Sequence, residues 1–108
     1  MAGTPDDAGA WHHACPTDAI AEGQLLPKLI RGARLCLGRT TSGYFAIADT
    51  CPHAGGSLSE GMIDGDEVVC PLHAWGFDTL SGACSEDPSC NTLVYQVRVE
   101  AGNLQVRL

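Results

Sequence analysis

Two short segments, Cys51-Pro52-His53-Ala54-Gly55-Gly56 and Cys70-Pro71-Leu72-His73-Ala74-Trp75-Gly76-Phe77, each set an imidazole two or three positions after a thiol, and 16 residues separate His53 from Cys70. Thiolate and imidazole are the soft-to-borderline donors that hold zinc, copper and iron, and two loops offering one of each can close four bonds to a metal centre. Two of the chain's four histidines lie in these loops, each beside a Cys-Pro pair. Pro52 and Pro71 stiffen the chain and remove one backbone donor, leaving neighbouring amides free to point at sulfur. Gly55 and Gly56 let the backbone approach a bulky centre without a Cβ in the way. The loops read as built around something larger than one ion.

The rest of the chain is patterned as short strands. Apolar runs at 24–30, 34–39 and 44–49 are broken by Gly32 and by Thr41-Ser42-Gly43, and Leu35, Leu37, Phe45 and Ile47 alternate as half-buried strands do. Asp64-Gly65-Asp66 between Met62-Ile63 and Val68-Val69-Cys70 is a hairpin signal. Leu93, Tyr95, Val97 and Val99 share one face of a strand over 93–100, which turns at Ala101-Gly102-Asn103 into a last strand over 104–108. Residues 19–22 offer one turn of helix at most. Turns every 8 to 12 residues predict a small all-β sandwich or barrel. Residues 1–10, rich in Gly, Ala, Pro and Asp, read as a flexible leader before one domain over 11–108, and 108 residues suffice for one modest core.

The formal charge of −7 repels phosphate backbones and anionic lipid, so neither nucleic acid nor a membrane is expected as a partner. No apolar run approaches the roughly 20 residues of a membrane helix, and Asp6 and Asp7 stand where a signal peptide would carry basic residues. A cytoplasmic protein is expected. In such a chain thiols more often bind metal than pair as disulfides.

The pattern C-x-H, 16 residues, C-x-x-H, with Gly55-Gly56 after the first pair, Leu58-Ser59-Glu60-Gly61 between the loops and Trp75-x-Phe77 after the second histidine, resembles the Rieske-type iron-sulfur proteins. Within them it is most similar to the small soluble ferredoxins of oxygenase systems. The resemblance covers 11–108 and implies stacked antiparallel sheets with two cluster-binding loops at one tip. It also implies a [2Fe-2S] cluster, with Cys51 and Cys70 on one iron and His53 and His73 on the other. Two ferric ions, two sulfides, two thiolates and neutral imidazoles sum to no net charge, whereas four thiolates would leave a double negative charge. The neutral centre accepts an electron more readily, at about −150 to +300 mV against about −400 mV for plant-type centres.

The resemblance further implies a one-electron carrier, not an enzyme. A flavin-containing reductase is the expected donor, an oxygenase or other reductase component the acceptor, and a monomer the expected state. The respiratory branch of the family carries an extra cysteine in each loop, joined as a clamp; here Gly56 and Leu72 stand in those places. Trp75 and Phe77 replace hydroxyl-bearing residues that would donate to sulfur, which predicts a potential in the lower part of the Rieske range, below zero.

Two other readings compete. A small subunit or accessory module of a nitrite-reductase-like complex would keep the same ligands, and a zinc-binding interaction module could use the same Cys₂His₂ set. The zinc reading gives the glycine and aromatic neighbours no role. Cys15 and Cys36 read as small buried apolar residues, and Cys84 and Cys90, flanking Ser85-Glu86-Asp87-Pro88-Ser89, as free thiols by default, with support of the cluster or a strained bond between them as the alternatives and no function assigned. His12 and His13 read as solvated, Trp75 as a packing residue, and the carboxylates of Glu60, Asp64, Asp66, Glu67, Glu86 and Asp87 as a wet face that could dock a basic partner.

Overall fold

A computed structural model describes residues 9–52, 55–72 and 74–108. Ten strands are present among them: β1 (Trp11–Pro16), β2 (Leu25–Ile30), β3 (Ala33–Thr40), β4 (Gly43–Ala48), β5 (Met62–Asp64), β6 (Glu67–Val69), β7 (Gly76–Asp78), β8 (Val94–Tyr95), β9 (Val97–Glu100) and β10 (Asn103–Arg107). They form three antiparallel sheets, ordered β1-β10-β9, β2-β3-β4-β8 and β5-β6-β7. The all-β architecture of stacked antiparallel sheets agrees with the expectation from sequence. Among the described residues helix is confined to short 3-10 turns at Thr17–Ala19 and Leu58–Glu60.

Local chemistry sets the hairpins. Arg31-Gly32 and Ala101-Gly102 close β2–β3 and β9–β10 with positive φ at both central residues, the mirror-image turn whose twist matches that of the flanking strands. Gly65, also at positive φ, turns β5 into β6 where Asp64-Gly65-Asp66 predicted it.

The second sheet is the shared wall between two apolar cores. Leu35, Leu37 and Ala46 face the first sheet and pack with Ala14, Cys15, Ile20, Ile30, Leu104 and Val106. Cys36, Phe45 and Ile47 face the other way and pack with Cys51, Leu58, Val68, Cys70, Phe77 and Cys84. The alternation in β3 and β4 therefore separates two buried faces, a correction to the half-buried reading. Phe45 lies over Gly38, its cross-strand partner, where any Cβ would collide with the ring. A register shift between His13 and Cys15 in β1 lets consecutive Ala14 and Cys15 both be buried.

The strand expected over 93–100 is two strands in different sheets. β8 pairs with β4, the chain turns a corner at Gln96, and β9 pairs with β10. Leu93 and Val99, at the two ends, stay 65% and 53% exposed, so the apolar stripe is buried only near the corner. Hydrogen bonding begins before Trp11: Ala10 exchanges two backbone bonds with Leu108, and the Arg107 guanidinium donates to the Gly9 carbonyl. His12 and His13 lie on β1, opposite Val106 and Gln105. Among the described residues no helix is long and apolar enough to cross a membrane.

Candidate metal centre

The first cysteine loop leaves the end of β4 as a tight hairpin. Asp49 holds its base: the backbone N–H bonds to the Arg34 carbonyl at 2.9 Å, its carbonyl accepts Leu58 N–H at 2.6 Å, and its carboxylate accepts Ser59 N–H at 2.8 Å. Thr50 and Ser57 form the next rung. Above them Cys51 N–H donates to the Gly56 carbonyl at 2.7 Å and Gly55 N–H to the Cys51 carbonyl at 2.8 Å.

The second loop is the tip of the β6–β7 hairpin and repeats the same design. Val69 pairs with Gly76, and Cys70 N–H donates to the Trp75 carbonyl at 2.8 Å. In both loops the cysteine amide thus bonds the carbonyl five positions on, leaving four residues at the tip. The fourth of them has positive φ in each case, Gly55 at 77° and Ala74 at 57°. Glycine takes that conformation freely, whereas alanine is strained there by roughly 1–2 kcal/mol.

The two loops abut. A Cβ on Gly56 would stand 3.0 Å from Leu72 Cδ1, so the Leu72 side chain folds over the Gly56 backbone at the positions where the respiratory branch carries its clamp. All six cysteines are free thiols. Cys51 and Cys70 are each only 1% exposed, and their thiols interact directly. Burial pushes the Cys70 thiol up; the Leu72 N–H, donating to its sulfur, offsets part of this, and the neighbouring Cys51 adds to the rise. Two adjacent buried thiols with an amide aimed at sulfur are a poor arrangement for ionised side chains alone. A cation bridging them would remove the penalty, as the donor chemistry of an iron-sulfur centre requires.

His53 and His73 lie outside the described residues, so the structure gives the cysteine half of the expected ligand set. Among the described residues no three His, Cys, Asp or Glu side chains converge as a metal site.

Sequence reasoning missed the support beneath the second loop. Glu86 is exposed, as the wet-face reading expects, but it also has partners: its carboxylate accepts Gly76 N–H at 2.9 Å and the Ser85 hydroxyl at 2.8 Å, and these donors hold its carboxyl below the usual range. Ser85 N–H in turn donates to the Gly76 carbonyl at 3.0 Å. Glu86 thereby fixes the residue that follows Trp75, a role no local pattern in Ser85-Glu86-Asp87 announces. Asp66, another of the grouped carboxylates, accepts from the Ser42 hydroxyl at 2.9 Å. Trp75 is half-buried against the same core as the cysteines, and Phe77 is fully buried in it. Cys36 lies in that core too, its thiol pushed up to about 12 by burial and by the nearby Asp49 charge, as suits a small apolar residue.

Comparison with known proteins follows the same lines. The profile of the Rieske [2Fe-2S] domain matches residues 10–100. The biphenyl dioxygenase ferredoxin subunit of Pseudomonas sp. strain KKS102 is 34% identical over 95 residues, covering 86% of this chain and 87% of that protein. A ferredoxin solved in complex with the oxygenase of carbazole 1,9a-dioxygenase superposes with a TM-score of 0.80 at 30% identity, over 88% of this chain and 99% of that one. A Mycobacterium tuberculosis protein described as an NADH-dependent nitrite reductase small subunit superposes with a TM-score of 0.88 at 27% identity, over 94% and 97%.

Proposed function

The chain belongs to the Rieske [2Fe-2S] family, and we propose on that footing that it is a one-electron carrier between a reductase and a terminal oxygenase. The observation that carries the reading is the pair of buried, mutually facing thiols of Cys51 and Cys70 in two loops of matching design. In this reading Cys51 and Cys70 bind one iron, His53 and His73 the other, and the functional domain spans 11–108. The cluster, when bound, supplies reversible uptake of a single electron.

The chain's own residues hold and present that centre. The cysteine-to-carbonyl rungs and the Glu86 clamp fix both loops before any metal arrives, which limits rearrangement on electron uptake. Leu72 and Met62 are exposed large apolar side chains, and Pro52 and Pro71 are exposed beside the cysteines. Together they give the loop end a surface that a partner protein can cover. The acidic balance favours a partner with a basic surface. Trp75 and Phe77 carry no hydroxyl to donate to sulfur, which supports a potential in the lower part of the family's range.

The test is direct. Purified protein should be red-brown, contain about two irons and two labile sulfides per chain, and return to the oxidised spectrum when its reduced form meets an oxidised Rieske oxygenase. A colourless zinc-loaded protein would sink the reading. The second reading, a reductase small subunit, is favoured by the fit to the nitrite reductase small subunit. It predicts a stable complex with a large subunit, where the carrier predicts a freely exchanging monomer.

A further inference from the structure

The segment 82–92 forms a loop closed at its neck by Thr92 N–H donating to the Gly82 carbonyl at 2.9 Å. Two residues in from the neck on either arm stand Cys84 and Cys90. The arms alternate: Gly82 and Thr92 are buried, Ala83 and Asn91 exposed, Cys84 buried and Cys90 half-buried. Both residues pack against the sulfur-rich core, and the Cys90 thiol lies near enough to Cys84 to feel its charge.

The first arm is held in place. Cys84 bridges Phe77 of β7, Asp78 N–H bonds the Ala83 carbonyl, and Ser85 N–H bonds the Gly76 carbonyl. The neck bond two residues outside each cysteine keeps the two arms together, and a disulfide needs the two cysteine Cα atoms within roughly 4.4–6.8 Å. Both cysteines are free thiols, and the Cys84 S–H donates to the Glu86 carboxylate at 3.9 Å.

We propose that Cys84 and Cys90 are a redox-active dithiol that closes into a disulfide across the neck of the 82–92 loop by exchange with a low-molecular-weight disulfide. Cys90, the more exposed thiol, attacks the small disulfide, loses its proton to solvent and forms a mixed disulfide while one small thiol leaves. Cys84 then attacks the Cys90 sulfur, and the second small thiol departs; the protein pair is oxidised by two electrons and one small disulfide becomes two thiols. Burial, and next the nearby Cys84, raise the Cys90 thiol, so the first step is slow at neutral pH. The closed loop carries Ser85 and Glu86, so the cross-link fastens the segment that holds Gly76 beside the second cysteine loop.

The experiment incubates the intact protein, as isolated, with excess oxidised glutathione, then denatures, alkylates and maps peptides by mass spectrometry. The expected result is a fall in alkylated cysteines from all six of the chain to four, with one peptide pair joined through Cys84 and Cys90. Cys84→Ser should stop at a glutathione adduct on Cys90, and Cys90→Ser should keep all its remaining thiols. The cross-linked protein should unfold about 10 °C higher than the reduced one. Full alkylation of Cys84 and Cys90 in the wild-type protein, a lasting adduct on Cys90 alone, or a disulfide joining either of them to any other cysteine would overturn the proposal. An unchanged unfolding midpoint would overturn the fastening. Neither readout depends on what the Cys51 and Cys70 loops bind.

Discussion

The two cores share a wall but not a composition. The one beneath the first sheet is aliphatic, with Cys15 as its sulfur, whereas the one beneath the third sheet gathers Cys36, Cys51, Cys70 and Cys84, with Cys90 packed on its margin. One sheet serves both because period-two alternation sends Leu35 and Leu37 one way and Cys36 the other. The difference teaches that both sides keep the fold, each fully buried Leu, Val or Phe contributing roughly 1.5–3 kcal/mol, while only the sulfur-rich side holds the cysteine pair of the proposed centre.

That division can be broken by substitution. The largest effect is expected from Cys70→Ser, which should lower bound iron more than tenfold, measured per chain, and abolish the visible absorption, while Leu37→Ala on the aliphatic side leaves both unchanged. Stability should respond differently: Leu37→Ala should cost about 3 kcal/mol and Phe77→Ala about 4 kcal/mol in denaturant unfolding. Only the Phe77 variant should also lose iron faster to a chelator, since Phe77 supports the hairpin that carries Cys70. Equal iron loss from both would erase the distinction between the cores.

A smaller effect separates the sides by pH. Leu80 and Ser81 N–H groups donate to the Asp78 carboxylate and hold it below its ordinary value of 3.8, with Ser81 the larger influence. Glu86, held below 4.5 by Gly76 N–H, acts in the same sense. A carboxylate depressed in the folded state stabilises above its unfolded value, and that contribution is lost as pH falls through the folded one. Stability should therefore drop below about pH 4.5, and Asp78→Asn together with Glu86→Gln should flatten the profile there. The smallest effect is expected from Ala74→Gly, which relieves the left-handed strain at the second loop and, less the added chain entropy, should gain about 0.5 kcal/mol in thermal unfolding.

Much of this was legible in the residues. Turn chemistry at Gly32, Gly65 and Gly102 marked three hairpins, and the Cys-Pro spacing singled out both loops. The corner at Gln96 was not legible, because Leu93, Tyr95, Val97 and Val99 alternate as one strand would and only pairing with β4 and β10 divides them. Burial on both faces of β3 was hidden too: the alternation of Leu35 and Leu37 looks the same whether the opposite face meets water or, as with Cys36, a second core. Glu86 looked like one carboxylate among several because its partner, Gly76, is ten residues away and offers only a backbone amide.

The rungs from Cys51 to Gly56 and from Cys70 to Trp75 bind main chain to main chain. The shape of each tip is therefore carried by atoms every amino acid shares. Side chains such as Pro52 and Leu72 can change without redrawing the path of the chain around the cysteines. A change in what that end displays to solvent leaves the grip beneath the cysteines as it is.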